Sequence, residues 1–224
     1  NGTTGGCVTA TGKLGTYSWD FDGTNFDNIT TSLTKDWTAD DWSMSIWINI
    51  DSVPAGNSHY TGIFGNRFNT SFNGAGSNWF TMGAIRDGST GQLERLVLET
   101  GGGAYTMINT GINPVGSWHH VVLTHTGSTL EMFVDGVSKG SATNSNCGST
   151  SNGFQFGRWY YQTDANTVSL DGKLDEFYLF SKVLTSDEIS SIYNSGTGST
   201  VSSAMLPATW TNPVCASTIS STAT

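Results

Sequence analysis

The segment Gly116–Gly136, GSWHHVVLTHTGSTLEMFVDG, carries His119, His120 and His125, three of the four histidines in the chain. Histidines this dense could hold a metal ion or supply a general base, and each role sets its own geometry. A strand through Trp118–Thr126 alternates its side chains. Trp118, His120, Val122 and Thr124 then share one face, and His119, Val121, Leu123 and His125 the other. His119 and His120 therefore cannot meet at one ion. His119 and His125 share a face but lie roughly 20 Å apart at the usual strand rise. No paired carboxylate accompanies them, so the imidazoles read as packing beside a tryptophan.

Acids are the next candidates. Retaining glycosidase chemistry needs two carboxyl groups about 5–5.5 Å apart. In LERLVLE, Glu94 and Glu99 fall on opposite faces of a strand, and the adjacent Asp175 and Glu176 are likewise opposed. No Ser-His-Asp arrangement is suggested either. No catalytic residue is assigned, and the chain reads as a non-enzyme. Cys7, Cys147 and Cys215 match no zinc spacing. A Cys7–Cys215 bridge is expected if the chain ends lie side by side, with Cys147 then free or intermolecular. Three unrelated buried thiols are the alternative.

Sugar recognition makes a different demand: aromatic faces to stack on C–H surfaces, with amides, carboxylates or guanidinium groups for the hydroxyls. RWYYQTDAN has that composition, offering Arg158, Trp159, Tyr160, Tyr161, Asp164 and Asn166. NSHYTGIFGNRF adds His59, Tyr60, Asn66 and Arg67, and Trp47 is placed on a concave surface beside them. The bland alternative is that Trp159 and Tyr160 cap a sandwich and that another segment covers Trp47.

The elements that must position these groups are strands. In SMSIWINI, Met44, Ile46, Ile48 and Ile50 alternate with Ser43, Ser45, Trp47 and Asn49. YSWDFDG, LERLVLE, AYTMI, GFQFG and GKLDEFYLF read the same way, giving about a dozen strands. Asp135–Gly136 marks a two-residue hairpin. One helix is predicted, in LTSDEISSIYNSG. Thr185 and Glu188 form its capping box, Ile189, Ile192 and Tyr193 its apolar stripe, and Gly196 its stop. The pattern predicts an all-β, two-sheet antiparallel jelly-roll sandwich. Residues 1–16 read as a Gly/Thr-rich extension, 17–196 as the domain, and 197–224 as a Ser/Thr-rich tail, partly packed, partly linker.

The 224 residues carry 9 basic and 18 acidic groups, a net charge of −9, with no basic run to attract nucleic acid. Apolar runs are too short to span a bilayer by helix. A start at Asn1 is expected of a processed chain. Sequons at Asn1, Asn28 and Asn69 add weak support for an extracellular location.

Four segments in order, Trp19–Gly23 (WDFDG), Ser43–Ile48 (SMSIWI), the Trp118–Val137 hairpin and Leu170–Phe180 (LDGKLDEFYLF) with its following helix, resemble laminin-G-like modules of the concanavalin A-like lectin/glucanase superfamily. The resemblance covers roughly residues 15 to 196. It implies a structural Ca²⁺ held by Asp22 and Asp175, with carbonyls near Gly23 or Asn25 completing the shell. The alternative is that Asp22 opens a turn and Asp175 accepts backbone N–H groups.

The expected function is extracellular or surface recognition of carbohydrate or a glycosylated surface. A structural subunit of a surface assembly, packed against copies of itself through the tail, is the rival reading. Nucleic acid and membrane insertion are not expected.

Overall fold

A computed structural model describes residues 8–23, 28–31, 36–53, 59–66, 79–86, 95–101, 106–143, 147, 154–158 and 167–201. The first half of the chain supplies β1 (Val8–Ala10), β2 (Ser18–Asp22), β3 (Ile29–Thr30), β4 (Trp42–Ser52), β5 (His59–Gly65), β6 (Trp79–Arg86) and β7 (Arg95–Gly101). The second supplies β8 (Thr106–Asn109), β9 (Trp118–Thr126), β10 (Thr129–Val134), β11 (Val137–Thr143), β12 (Gln155–Phe156), β13 (Thr167–Val168) and β14 (Asp171–Phe180). One helix, α1 (Ser186–Tyr193), follows.

The strands form two sheets, as the alternation predicts. Sheet A runs β1-β2-β14-β4-β9-β10-β11, and sheet B runs β3-β12-β5-β6-β7-β8. The described strand pairings are antiparallel except a short parallel one between β13 and β5, and an isolated parallel bridge joins Ile50 to Val115. Met44, Ile46, Ile48 and Ile50 of β4 point between the sheets, where Phe64, Phe80, Met82, Leu96 and Leu98 of sheet B meet them. Aromatic rings fill the middle of this core: Trp37 lies 5.2–5.5 Å from Trp42, Phe80 and Phe154, and Phe80 lies 5.5 Å from Trp42 and 6.2 Å from Phe154.

Asp135 and Gly136 take φ of 54° and 78°, which a two-residue hairpin between β10 and β11 requires. The capping box of α1 is present as predicted: the Glu188 N–H donates to Thr185 Oγ1, and the Thr185 N–H donates to Glu188 Oε2. Thr185→Ala is expected to lower stability by about 1 kcal/mol, read from the denaturant midpoint at unchanged m-value. The helix ends earlier than Gly196. Asn194 already adopts the left-handed conformation at φ 46°, and its side-chain amide donates to the Gly198 carbonyl.

Two boundaries move. The predicted N-terminal extension contributes β1, an edge strand paired with β2. The stretch after it also packs, since the backbone N–H groups of Lys13 and Leu14 donate to Asp175 Oδ2 at 2.7 and 3.0 Å. At the other end the tail packs back over residues 197–201: the Gly198 and Ser199 N–H groups donate to the carbonyls of Tyr193 and Ile192. Residues 202–224 lie outside the described residues. No helix among the described residues is long and apolar enough to cross a membrane.

Candidate functional site

The histidines are packing groups. His125 stacks on Trp42 at 5.3 Å between centroids, and its Nδ1 lies 2.9 Å from the Asp40 carbonyl. His119 Nδ1 lies 2.7 Å from Asp135 Oδ2, while Asp135 Oδ1 accepts the His120 N–H. Burial works to raise the Asp135 pKa, but the bonds from His119 and His120 outweigh it and hold the carboxyl below its usual range. His120 is fully buried, with Nε2 2.8 Å from Ser45 Oγ and its ring against Trp47 and Tyr193. Burial lowers its pKa to about 4, against a smaller opposing pull from Asp135.

Trp47 does not lie on an open concave surface. It projects from the outward face of sheet A but is only 1% exposed. Tyr193 of α1 stacks on it at 6.0 Å, and the Lys13 ammonium sits 4.6 Å from the ring centroid. Beside it, Val122, Tyr178 and Phe180 of the same face pack against Leu184, Ile189 and Ile192. The alternation that separates Trp47 from the isoleucines is real, but α1 and the N-terminal stretch have closed this face.

The outward face of sheet B is built differently. Pairing aligns Gln155, Gly65, Thr81, Glu99 and Met107 in one row across five strands. Gln155, Thr81 and Glu99 of that row are buried and Met107 is exposed. The next row holds Gly62, Gly83, Val97 and Asn109, a floor with two side chains missing. Beyond it Tyr60, Ile85 and Arg95 fall in register, and Thr167 of β13 lies beside Tyr60. Among the described residues Glu99 is the one acidic residue on the strands of this sheet.

This register sorts the predicted sugar contacts. The segment 159–166 lies outside the described residues, as do Trp159, Tyr160, Tyr161, Asp164 and Asn166 within it. Its described flanks both sit against β5: the Gly157 N–H donates to the Ile63 carbonyl, and Thr167 pairs with Tyr60. The structure thus brings the ends of this segment to the β5 strand that carries Tyr60. Arg158 is buried and already engaged, a wall residue in place of the open sugar contact expected. Arg67 also lies outside the described residues, but its neighbour Asn66 is at the far end of β5, roughly 20 Å from Tyr60 at the usual rise. Asn66 is itself committed, since its side chain accepts the Phe80 N–H and donates to the Cys147 carbonyl. Ile85, Arg95 and Thr81 were missed because cross-strand register, unlike alternation, is not written in any one segment.

Asp22 and Asp175 do not come together. Asp22 pairs with Asp171, and Asp175 lies four residues further along β14, about 13 Å away. Asp175 spends its carboxylate on the N–H groups of Lys13, Leu14 and Glu176. Burial raises its pKa and those three bonds only partly offset it. Asp22 and Asp175 therefore do not share the ion that the resemblance implied. Asn25 lies outside the described residues, and Gly23 bonds by its N–H to the Leu170 carbonyl. Among the described residues no group of three His, Cys, Asp or Glu side chains could hold a metal.

Cys147 is free and fully buried, so it offers no thiol to another molecule, and burial pushes its pKa up to about 12. Cys7 and Cys215 lie outside the described residues, as do the sequons at Asn1 and Asn69. Asn28 is half-buried just before β3.

Similar folds occur among solved structures. Domain 4 of AbnA, an extracellular arabinanase from Geobacillus stearothermophilus solved in complex with arabinotriose, superimposes with a TM-score of 0.58 at 17% identity, covering 87% of this chain and 82% of that one. The binding domain of botulinum neurotoxin serotype D gives 0.52 at 18%, over 77% and 41%. The enzymatically active domain of bacteriophage CBA120 tailspike protein 2 gives 0.58 at 14%, over 83% and 28%. No curated protein matches in sequence. The Laminin_G_3 family model matches residues 22–190, across both sheets and into α1, and the chain belongs to that family of the concanavalin A-like lectin/glucanase superfamily.

Proposed function

We propose that the chain is a non-catalytic, extracellular carbohydrate-recognition module. It takes a glycan at the end of sheet B where Tyr60, Ile85 and Arg95 align and the segment 158–166 begins and ends. One observation carries this reading: α1 and the Lys13 stretch cover the outward face of sheet A, while both described flanks of the aromatic 159–166 segment meet β5 of sheet B beside Tyr60. An aromatic and amide-rich segment anchored beside a glycine-floored sheet suits a flat, hydroxylated ligand. The solved complex of the AbnA domain with arabinotriose supports a sugar as the ligand class. With one acid on the strands of sheet B, the paired carboxylates of glycoside hydrolysis are not evident there.

Tryptophan fluorescence and calorimetry with arabinotriose, followed by a glycan array, test the proposal. Tyr60→Ala and Trp159→Ala are each expected to weaken binding at least tenfold, about 1.4 kcal/mol. Arg67→Ala, one residue beyond Asn66, should leave it unchanged. Failure of every glycan to bind would remove the reading, and new reducing ends would make the protein an enzyme. The rival reading, a surface-assembly subunit, predicts particles that disappear when residues 197–224 are deleted. A monomer on size exclusion is the expected result.

A further inference from the structure

We propose that the Lys13 stretch and the turn after α1 are latched to sheet A through a neutral imidazole, and that protonation of His120 releases both while the sandwich stays folded. Three elements converge on His120. Trp47 of β4 lies tilted against it at 5.0 Å, Tyr193 of α1 stacks on it at 6.1 Å, and the Lys13 ammonium lies over the Trp47 ring. The Lys13 ammonium also donates to the carbonyl of Gly196, so one side chain ties the N-terminal stretch to the turn after the helix. Leu14 meets Gly198 in the same place.

The imidazole has no room for a second proton. Nε2 is taken by Ser45, and Nδ1 is buried without a partner among the described residues. An imidazolium would bury an unpaired N–H and a charge beside an indole that already carries an ammonium. The groups facing it are Lys13, Ser45, Trp47, Tyr193, His119 and Asp135, with Asp175, Glu176 and Tyr178 of β14 behind Trp47 and Ser45. Asp135 is committed to His119 and to the His120 backbone. Asp175 and Glu176 act in the opposite sense. Burial raises the pKa of both, so they bind protons more readily when latched, and acid strengthens their part of the closure.

The sign for His120 follows from its folded pKa of about 4 against an ordinary 6.5. The opened state binds the proton more tightly between those values, so opening becomes easier as pH falls through that window. Its contribution to the opening equilibrium grows about 30-fold between pH 7.5 and 5.

Amide hydrogen exchange of the intact chain tests this residue by residue, after correction for intrinsic rates. The N–H groups of Lys13, Leu14, Gly198 and Ser199 should lose protection on acidification, while those of Ile46 and Leu123 in the core do not. Dividing the wild-type change by that of His120→Gln, which retains Asp175 and Glu176, should recover about 30-fold. A quotient within twofold of unity overturns the proposal. So does loss of core protection in step with the latched segments, a comparison that needs only the wild type should the variant fail to fold.

Discussion

Phe154→Ala is expected to lower the unfolding free energy by about 3–5 kcal/mol, enough to unfold a marginal domain. Phe154 is fully buried and belongs to no strand, yet five rings surround it. Centroids of Trp37, Phe64, Phe80, Phe156 and Phe177 lie 5.5, 5.8, 6.2, 5.0 and 5.7 Å away. Its carbonyl also accepts the backbone N–H and the hydroxyl of Thr31. Truncation would open a cavity whose aromatic walls, drawn from both sheets, cannot close on it without moving strands. The measurement is the denaturant midpoint with the m-value held in view. Tyr17→Ala, at a side chain 60% exposed, should shift it by less than about 0.5 kcal/mol. Equal effects at the two positions would mean the core is not organised around Phe154.

Gly172→Ala is the second large effect, and it acts through backbone. Gly172 sits at φ 152° at an irregularity in the pairing of β14 with β4. A Cβ there would stand 2.3 Å from the Asn49 carbonyl oxygen and 2.8 Å from the Ile50 Cα. Neither atom can swing aside as a side chain tip would, so the two central strands of sheet A must separate locally. Overpacking and backbone strain together should cost about 3 kcal/mol or more. At Gly127, with φ 59° and nothing within 4 Å, alanine meets only the left-handed backbone penalty, about 1 kcal/mol. Thermal or denaturant unfolding of the two variants should rank them in that order, and a Gly172→Ala protein as stable as Gly127→Ala would refute the packing argument.

The parts of this fold that were legible in the sequence are those decided locally. Alternation placed Met44, Ile46, Ile48 and Ile50 on one face, and Thr185 with Glu188 announced the helix start. Alternation also turned His119 toward Asp135 and His120 toward Ser45. What stayed hidden depends on distant segments meeting. Trp47 looked available because its own strand cannot say that Tyr193 and Lys13 will cover it. Asp22 and Asp175 looked like partners because only the β2–β14 register shows how far apart they stand. Val8–Ala10 reads as Gly/Thr-rich tail until β2 offers it an edge. The candidate ligand face was half legible: Tyr60 and the 158–166 segment were named from composition, whereas Ile85 and Arg95 depend on pairing.

The order of strands in sheet A has a consequence for synthesis. β14, which ends at Phe180, is inserted between β2 and β4, two early strands that do not touch each other. Until that late segment has left the ribosome, the early strands have a slot between them with two unsatisfied borders, and nothing already made can fill it. The domain must therefore be completed by its last strand, in a single late closing step dominated by long-range pairing, which is slow by nature. A nascent chain stalled before residue 171 should be a ready target for chaperones or for misplaced strands from its neighbours.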